Sequence, residues 1–204
     1  MKNRHENNER RDSAKDAIRN AAVELFAEKG FAATSTREIC QRAGISKPVL
    51  YYHFGSKEQL YEELVLDAFN EYQRELRRAS RRGRTPRERL IEVLSAMFSY
   101  ARHKHDYWRM GFRMVFAPEK ESPAINYVEM RQADEKLLTE IVREGIRKGE
   151  IKGKPEQIAG AIIGMATACI MGYLVTGKPS LDRTAAREVI DLLMEGCARN
   201  STGR

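Results

Sequence analysis

"STREICQRAGISKPVLYYHFGSKEQL", residues 35–60, decides the fold. Ser35 and Glu38 have capping-box spacing, in which the hydroxyl accepts the Glu38 amide hydrogen while the carboxylate reaches back to the cap residue. A short helix is therefore expected to about Ala43. Gly44 breaks it, Ile45 can plug a core, and Ser46 can cap a third helix of about two turns. Pro48 is harmless there, because first-turn amides have no intrahelical partner to lose. Leu50 and Phe54 are four apart and can face inward with Ile39 and Ile45, which leaves Lys47, Pro48, Val49, Tyr51, Tyr52 and His53 largely outside. A purely structural helix rarely leaves two tyrosines in water. Residues 56–59, "SKEQ", form a second capping box and open a fourth helix to about Arg78. Two short helices joined by a Gly-containing turn make a helix-turn-helix, the arrangement that lays a helix into the major groove.

Outward from this stretch, apolar spacing is helical nearly everywhere and no run of period-two alternation stands out. Upstream, a helix is expected over residues 13–29, with Ile18, Ala22, Leu25 and Phe26 on one face and Gly30 at its end. Downstream, the fourth helix turns Leu60, Leu64, Ala68, Tyr72 and Leu76 inward. The Arg-rich run "RRASRRGR", residues 77–84, cannot pack in a core and reads as a helix end plus connection. Further helices are expected over residues 86–103, 106–116, 123–148, 155–176 and 181–198. The predicted fold is all-α, with about nine helices. Its parts are a flexible basic arm (1–12), a helix-turn-helix domain (13–57) and a helical ligand-binding and dimerisation domain (58–204).

The 204 residues suffice for one or two compact units, and 42% hydrophobic with 32% charged residues is a globular composition. The net charge of +7 is unevenly spread. Residues 1–57 hold 11 Lys and Arg against 7 Asp and Glu, and residues 58–117 hold 12 against 9. Residues 118–204 are balanced at 13 each, so the positive excess sits where a polyanion could be met. Cys40, Cys169 and Cys197 are far apart and form no Cys-x-x-Cys, so neither a disulfide framework nor a zinc site is expected. The polar first residues carry no secretion signal, and a cytoplasmic protein is expected.

The stretch "AAVELFAEKGFAATSTREICQRAGISKPVLYYHFGSKEQLYEELV", residues 21–65, resembles the DNA-binding domain of the TetR family of bacterial transcriptional repressors. The resemblance rests on an apolar first helix ending in Gly, a Ser/Thr start to the second, and Tyr-x-His-Phe-x-x-Lys closing the third. It implies a homodimer on a palindromic operator of double-stranded DNA, with divergent C-terminal helices holding a small effector and the dimer contact. Carried over by position, it makes Thr36 and Lys57 phosphate contacts at the starts of two helices. It places Lys47, Val49, Tyr51, Tyr52 and His53 in the groove, with Ser35, Arg37 and Pro48 beside them. Pro48-Val49 departs from the family pattern, where a small or amide residue is common, and Val49 cannot hydrogen-bond a base.

The remaining candidates come from residue types. Between residues 97 and 130 lies a concentration of Met and aromatic residues. Most belong to a core, and some subset suits an apolar ligand cavity. Met97, Tyr100, Trp108, Phe112, Phe116, Tyr127, Met130 and, from a later helix, Met165 are the expected lining. Residues 158–176, "IAGAIIGMATACIMGYLVT", are uncharged for long enough to be weighed as a membrane span, but the segment stands alone and is rich in Gly and Ala. It is read instead as one side of a dimer four-helix bundle, with residues 181–198 as the other. Ala161, Met165, Ala168, Cys169, Gly172, Val189, Leu192 and Leu193 are the expected interface. His103 and His105 are two apart and point away from each other on a helix, so no metal is assigned. Nor is any cofactor or catalytic residue, because the C-terminal half offers no nucleophile triad, His-Glu-x-x-His or Gly-rich phosphate motif. A ligand-independent architectural DNA binder and an enzyme with an appended DNA-binding domain are the alternatives to a ligand-responsive repressor.

Overall fold

The computed structural model describes residues 2–115, 123 and 125–196, with side chains from residue 12 onward. Among the described residues there are nine helices. They are α1 (Lys2–Lys29), α2 (Thr36–Ala43), α3 (Lys47–Phe54), α4 (Lys57–Ala79), α5 (Pro86–His103), α6 (His105–Val115), α7 (Tyr127–Arg147), α8 (Pro155–Thr176) and α9 (Arg183–Glu195). No strand occurs among those residues. The expected bounds of α5 and α8 coincide with the observed ones. α1 starts eleven residues earlier than expected, so the backbone of residues 2–12 is helical. α7 starts later, at Tyr127.

The local signals around the helix-turn-helix act largely as the sequence implies. Ser35 Oγ accepts from the Glu38 amide at 3.3 Å, and Glu38 Oε2 accepts from the Ser35 amide at 2.9 Å. Gly44 ends α2 at φ 66°, ψ 32°, a left-handed conformation that a side chain resists. Ser46 forms no side-chain cap on α3, contrary to expectation; Pro48, preset for a first turn, opens the helix without it. α9 uses a cap the sequence reading did not single out, with Asp182 accepting from the Ala185 amide at 2.9 Å.

The chain divides into two compact units that are discontinuous in sequence, rather than at residue 57. One comprises Met1–Asn70 and Lys104–Tyr127, the other Glu71–His103 and Val128–Arg204. In the first, α1 packs against α2, α3 and α6, and α2 against α3. The expected α1 face is buried, with Ile18, Ala22 and Phe26 at 0% exposure and Leu25 at 4%. Phe26, Phe31 and Tyr61 form an aromatic cluster. The Tyr61 ring meets Phe26 edge-on at 5.0 Å and Phe31 at 5.3 Å. Arg19 joins α1 to α4 through Glu63 and Asp67, each at 2.9 Å. In the second unit, α5 packs against α8 and α9, and α8 against α9. α8 turns Ala159, Ile162, Ile163, Ala166 and Ile170 into that core.

Candidate nucleic-acid interface

Ile39, Leu50 and Phe54 are buried on the inner side of α2 and α3, and Ile45 is half-buried. With α3 only eight residues long, burying Leu50 and Phe54 on one side turns the intervening residues outward. Tyr52 is 65% exposed and Tyr51 45%, beside exposed Lys47 and Pro48 and half-buried Val49 and His53. The Tyr52 and His53 rings meet edge-to-face at 5.2 Å, which holds the two side chains as one surface. α2 contributes exposed Ser35 and Arg37 and half-buried Thr36 at its N-terminus, where amide hydrogens and the helix dipole favour an anion.

Charge around this surface is sorted by pairing. Arg42 of α2 pairs with Glu24 at 3.0 Å and Glu28 at 3.6 Å on α1. Lys29 pairs with Glu38, and that bond, with those from Ser35, draws the Glu38 carboxyl down to about 2. Its folded value lies below the unfolded one, so its contribution is present above about 4.5 and is lost as pH falls through about 2. Arg37 and Lys47 are exposed and form no ion pair among the described residues. They are the cations this surface leaves available to phosphate or base edges.

Lys57, expected at a phosphate, is turned inward. Its ammonium donates to the carbonyl oxygens of Phe31 and Thr34, each at 2.9 Å, and sits 4.1 Å from the Phe31 ring centroid. Burial holds the Lys57 pKa below its ordinary value. Arg113 of α6, which carries no sequence signal, donates to the Ala27 and Glu28 carbonyls at the end of α1.

The expected ligand-lining residues fall in both units. Met97 and Tyr100 lie on α5, Met130 on α7 and Met165 on α8, all in the second unit. Met97 is 2% exposed, a core position, and the Tyr100 ring stacks at 5.3 Å on Tyr72. In the first unit, half-buried Trp108 and Phe112 of α6 lie 5.6 Å apart, and the Tyr127 hydroxyl is 3.4 Å from that of Tyr61. Phe116 lies outside the described residues.

The expected dimer residues divide by exposure. Ala161 and Ala168 are exposed and Leu192 is 45% exposed, with Met165, Cys169 and Leu193 half-buried. Two of them are engaged within the protomer. Val189 is 8% exposed in the core, and a Cβ on Gly172 would lie 2.9 Å from the Lys178 carbonyl oxygen. Met171 at 42% and Val175 at 81% exposure, neither anticipated, extend the Ala161–Ala168 line by helical spacing. α8 is long and apolar enough to cross a bilayer by length and composition, while its inner side packs on α5 and α9.

Two family profiles match this chain. One described as "Bacterial regulatory proteins, tetR family" covers residues 18–64, and one described as "Tetracyclin repressor-like, C-terminal domain" covers residues 83–197. The HTH-type transcriptional repressor KstR2 of Mycolicibacterium smegmatis is 31% identical over 69% of this chain and 68% of its own length. The HTH-type transcriptional activator FasR of the same organism is 28% identical over 91% of this chain and 83% of its own. The transcriptional regulator FadR from Bacillus subtilis, solved in complex with stearoyl-CoA, superposes with a TM-score of 0.74 at 22% identity, over 89% of this chain and 98% of that one.

Proposed function

Because the chain belongs to the TetR family of bacterial transcriptional regulators, which are not enzymes, we propose that it is a ligand-responsive repressor acting in the cytoplasm as a homodimer on a palindromic operator. The observation that carries this reading is α3. It is a two-turn helix that buries Leu50 and Phe54 and presents Lys47, Val49, Tyr51, Tyr52 and His53 outward beside the N-terminus of α2. Two such helices about 34–36 Å apart enter successive major grooves of one duplex. Lys47 can donate to guanine acceptors, Val49 can touch a thymine methyl, and Thr36, Ser35 and Arg37 meet phosphate. An effector in the helical C-terminal part changes the spacing of the two reading helices and lowers operator affinity. A coupling of about 1–3 kcal/mol changes occupancy roughly 5–150-fold. Repression is preferred to activation because occupying an operator blocks a promoter without any further contact. The concentration of Met and aromatic residues between residues 97 and 130 favours a hydrophobic effector. FadR, with the same fold, is solved with stearoyl-CoA, so long-chain acyl-CoA thioesters are the first compounds to titrate. Fold likeness alone assigns no ligand.

Selection from a random duplex pool should return a two-fold symmetric sequence with half-sites about 10 base pairs apart. On that sequence Lys47→Gln should reduce the dependence of log affinity on log salt by about two, one for the cation lost from each protomer of the dimer. Failure to enrich any symmetric sequence would sink the reading.

The dimer contact is assigned to the exposed line on α8 with Leu192 of α9. Gly160 and Gly164 leave open space on α8 for close approach. Val175→Asp combined with Leu192→Asp should convert the chain to monomers in analytical ultracentrifugation and remove the concentration dependence of its unfolding midpoint, while the helical circular dichroism spectrum is kept because both side chains are exposed in the protomer. A dimer that survives this double substitution places the contact elsewhere.

A further inference from the structure

The connection between α1 and α2 is a knot of carbonyl groups. The last carbonyls of a helix have no intrahelical partner and carry the negative end of its dipole. Here they are satisfied from three sources. The chain itself supplies some bonds: Gly30 N donates to Phe26 O at 3.0 Å, and Thr34 Oγ1 to Gly30 O at 2.7 Å and Leu25 O at 3.3 Å. Arg113 of α6 supplies two more, with Nε donating to Ala27 O and Nη2 to Glu28 O, both at 2.9 Å. Lys57 of α4 closes the end, donating to Phe31 O and Thr34 O at 2.9 Å with the Phe31 ring 4.1 Å away.

An ammonium has three donor hydrogens. Two carbonyl oxygens take two of them and the Phe31 ring face lies against the ammonium, so the Lys57 side chain is engaged inward rather than aimed at a phosphate. The clamped segment ends at Thr34, and Ser35, Thr36 and Arg37 follow it directly. The two cations thus brace the segment that leads into α2.

We propose that Lys57 and Arg113 are positioning residues, a pair of cations that clamp the α1–α2 connection and so hold Ser35, Thr36 and Arg37 in register with the DNA backbone. The clamp acts through carbonyl groups, without itself touching nucleic acid. Lys57 ties the connection to the start of α4, and Arg113 ties it to the end of α6, which makes α6 a mechanical part of the DNA-binding unit. The proposal rests on the DNA-binding reading above and is tested in a way that separates the two.

Full-length wild type, Lys57→Gln, Lys57→Arg and Arg113→Gln are compared in two measurements. The first, on protein without DNA, is amide hydrogen exchange of residues 30–37. Exchange should quicken in both Gln variants, and Lys57→Arg should keep most of the protection because it retains a cation with several donors. The second is affinity for the selected operator at four salt concentrations. Affinity should fall about tenfold for Lys57→Gln and about threefold for the more exposed Arg113→Gln, as expected for losing charged hydrogen bonds of differing burial. The salt slope should stay at the wild-type value in both, whereas loss of a direct phosphate contact from each protomer of the dimer lowers it by about two. A slope reduced by about two in Lys57→Gln overturns the proposal in favour of a phosphate contact. Unchanged exchange in the Gln variants overturns it as well. If wild type binds no duplex, the DNA-binding reading fails, and the exchange measurement still decides whether the clamp exists.

Discussion

Phe26→Ala is expected to lower the unfolding free energy by about 3–5 kcal/mol and to abolish operator binding. Against a typical total of about 5–15 kcal/mol, that is enough to unfold much of the population. Phe26 has 0% exposure on α1 and supplies one ring of the cluster with Phe31 and Tyr61. Edge-to-face pairs add about 0.5–1.5 kcal/mol beyond burial, so truncation loses packing on two sides as well as transfer energy. The cluster stands directly beneath the clamped connection, since the Phe31 ring carries the Lys57 ammonium. Its collapse therefore also releases α2. Urea unfolding followed by circular dichroism checks this, with Phe26→Leu as the control that keeps most of the volume. A loss below about 1 kcal/mol would show that the rings are not packed as described.

Asp134→Asn is expected to stabilise the chain at neutral pH. Asp134 on α7 accepts from the Tyr72 hydroxyl at 3.1 Å and from Gln73 Nε2 at 2.5 Å. Burial outweighs those bonds and pushes its pKa from 3.8 up to about 6. An acid with a raised folded-state pKa binds more protons when native, so stability falls as pH rises from about 4 through about 6 and the cost is complete above that window. Two pKa units correspond to about 3 kcal/mol, and partial solvent access reduces this to about 1–2 kcal/mol. Asn keeps an oxygen for Tyr72, and Gln73 can turn its amide to meet the new group. The gain in thermal unfolding should therefore appear at pH 7.5 and vanish near pH 4. A variant less stable than wild type at pH 7.5 would mean that the carboxylate's hydrogen bonds outweigh its desolvation.

The outward-facing surface of α3 was legible along the chain because each of its signals is local. The Ser35–Glu38 box, the Gly44 break and the Leu50–Phe54 pair act over three or four residues, and together they turn Tyr51, Tyr52 and Lys47 outward. The boundaries of α5 and α8 were equally legible, since Pro starts each of them and each carries an unbroken apolar period. Ser46 shows the limit of such rules. Its position permits a cap, but Pro48 already starts the helix, and no side-chain bond forms.

Other features had no trace in spacing or composition. The direction of the Lys57 ammonium depends on carbonyls 23 and 26 residues away, the role of Arg113 on carbonyls 85 and 86 away, and the burial of Asp134 on Tyr72, 62 residues away. A lysine at a helix start suits a phosphate outside and a pair of carbonyls inside alike, so residue type could not choose between them. The same holds for α8, where composition marks an apolar helix and only packing separates the side engaged with α5 and α9 from the side carrying Met171 and Val175. Short-range hydrogen bonding and periodicity are written along the chain, and they suffice for an all-helical fold with a helix-turn-helix whose second helix faces outward. Which buried partner a long, charged side chain finds is settled when distant segments pack, because electrostatic and desolvation energies depend on distances in space that the order of residues does not contain.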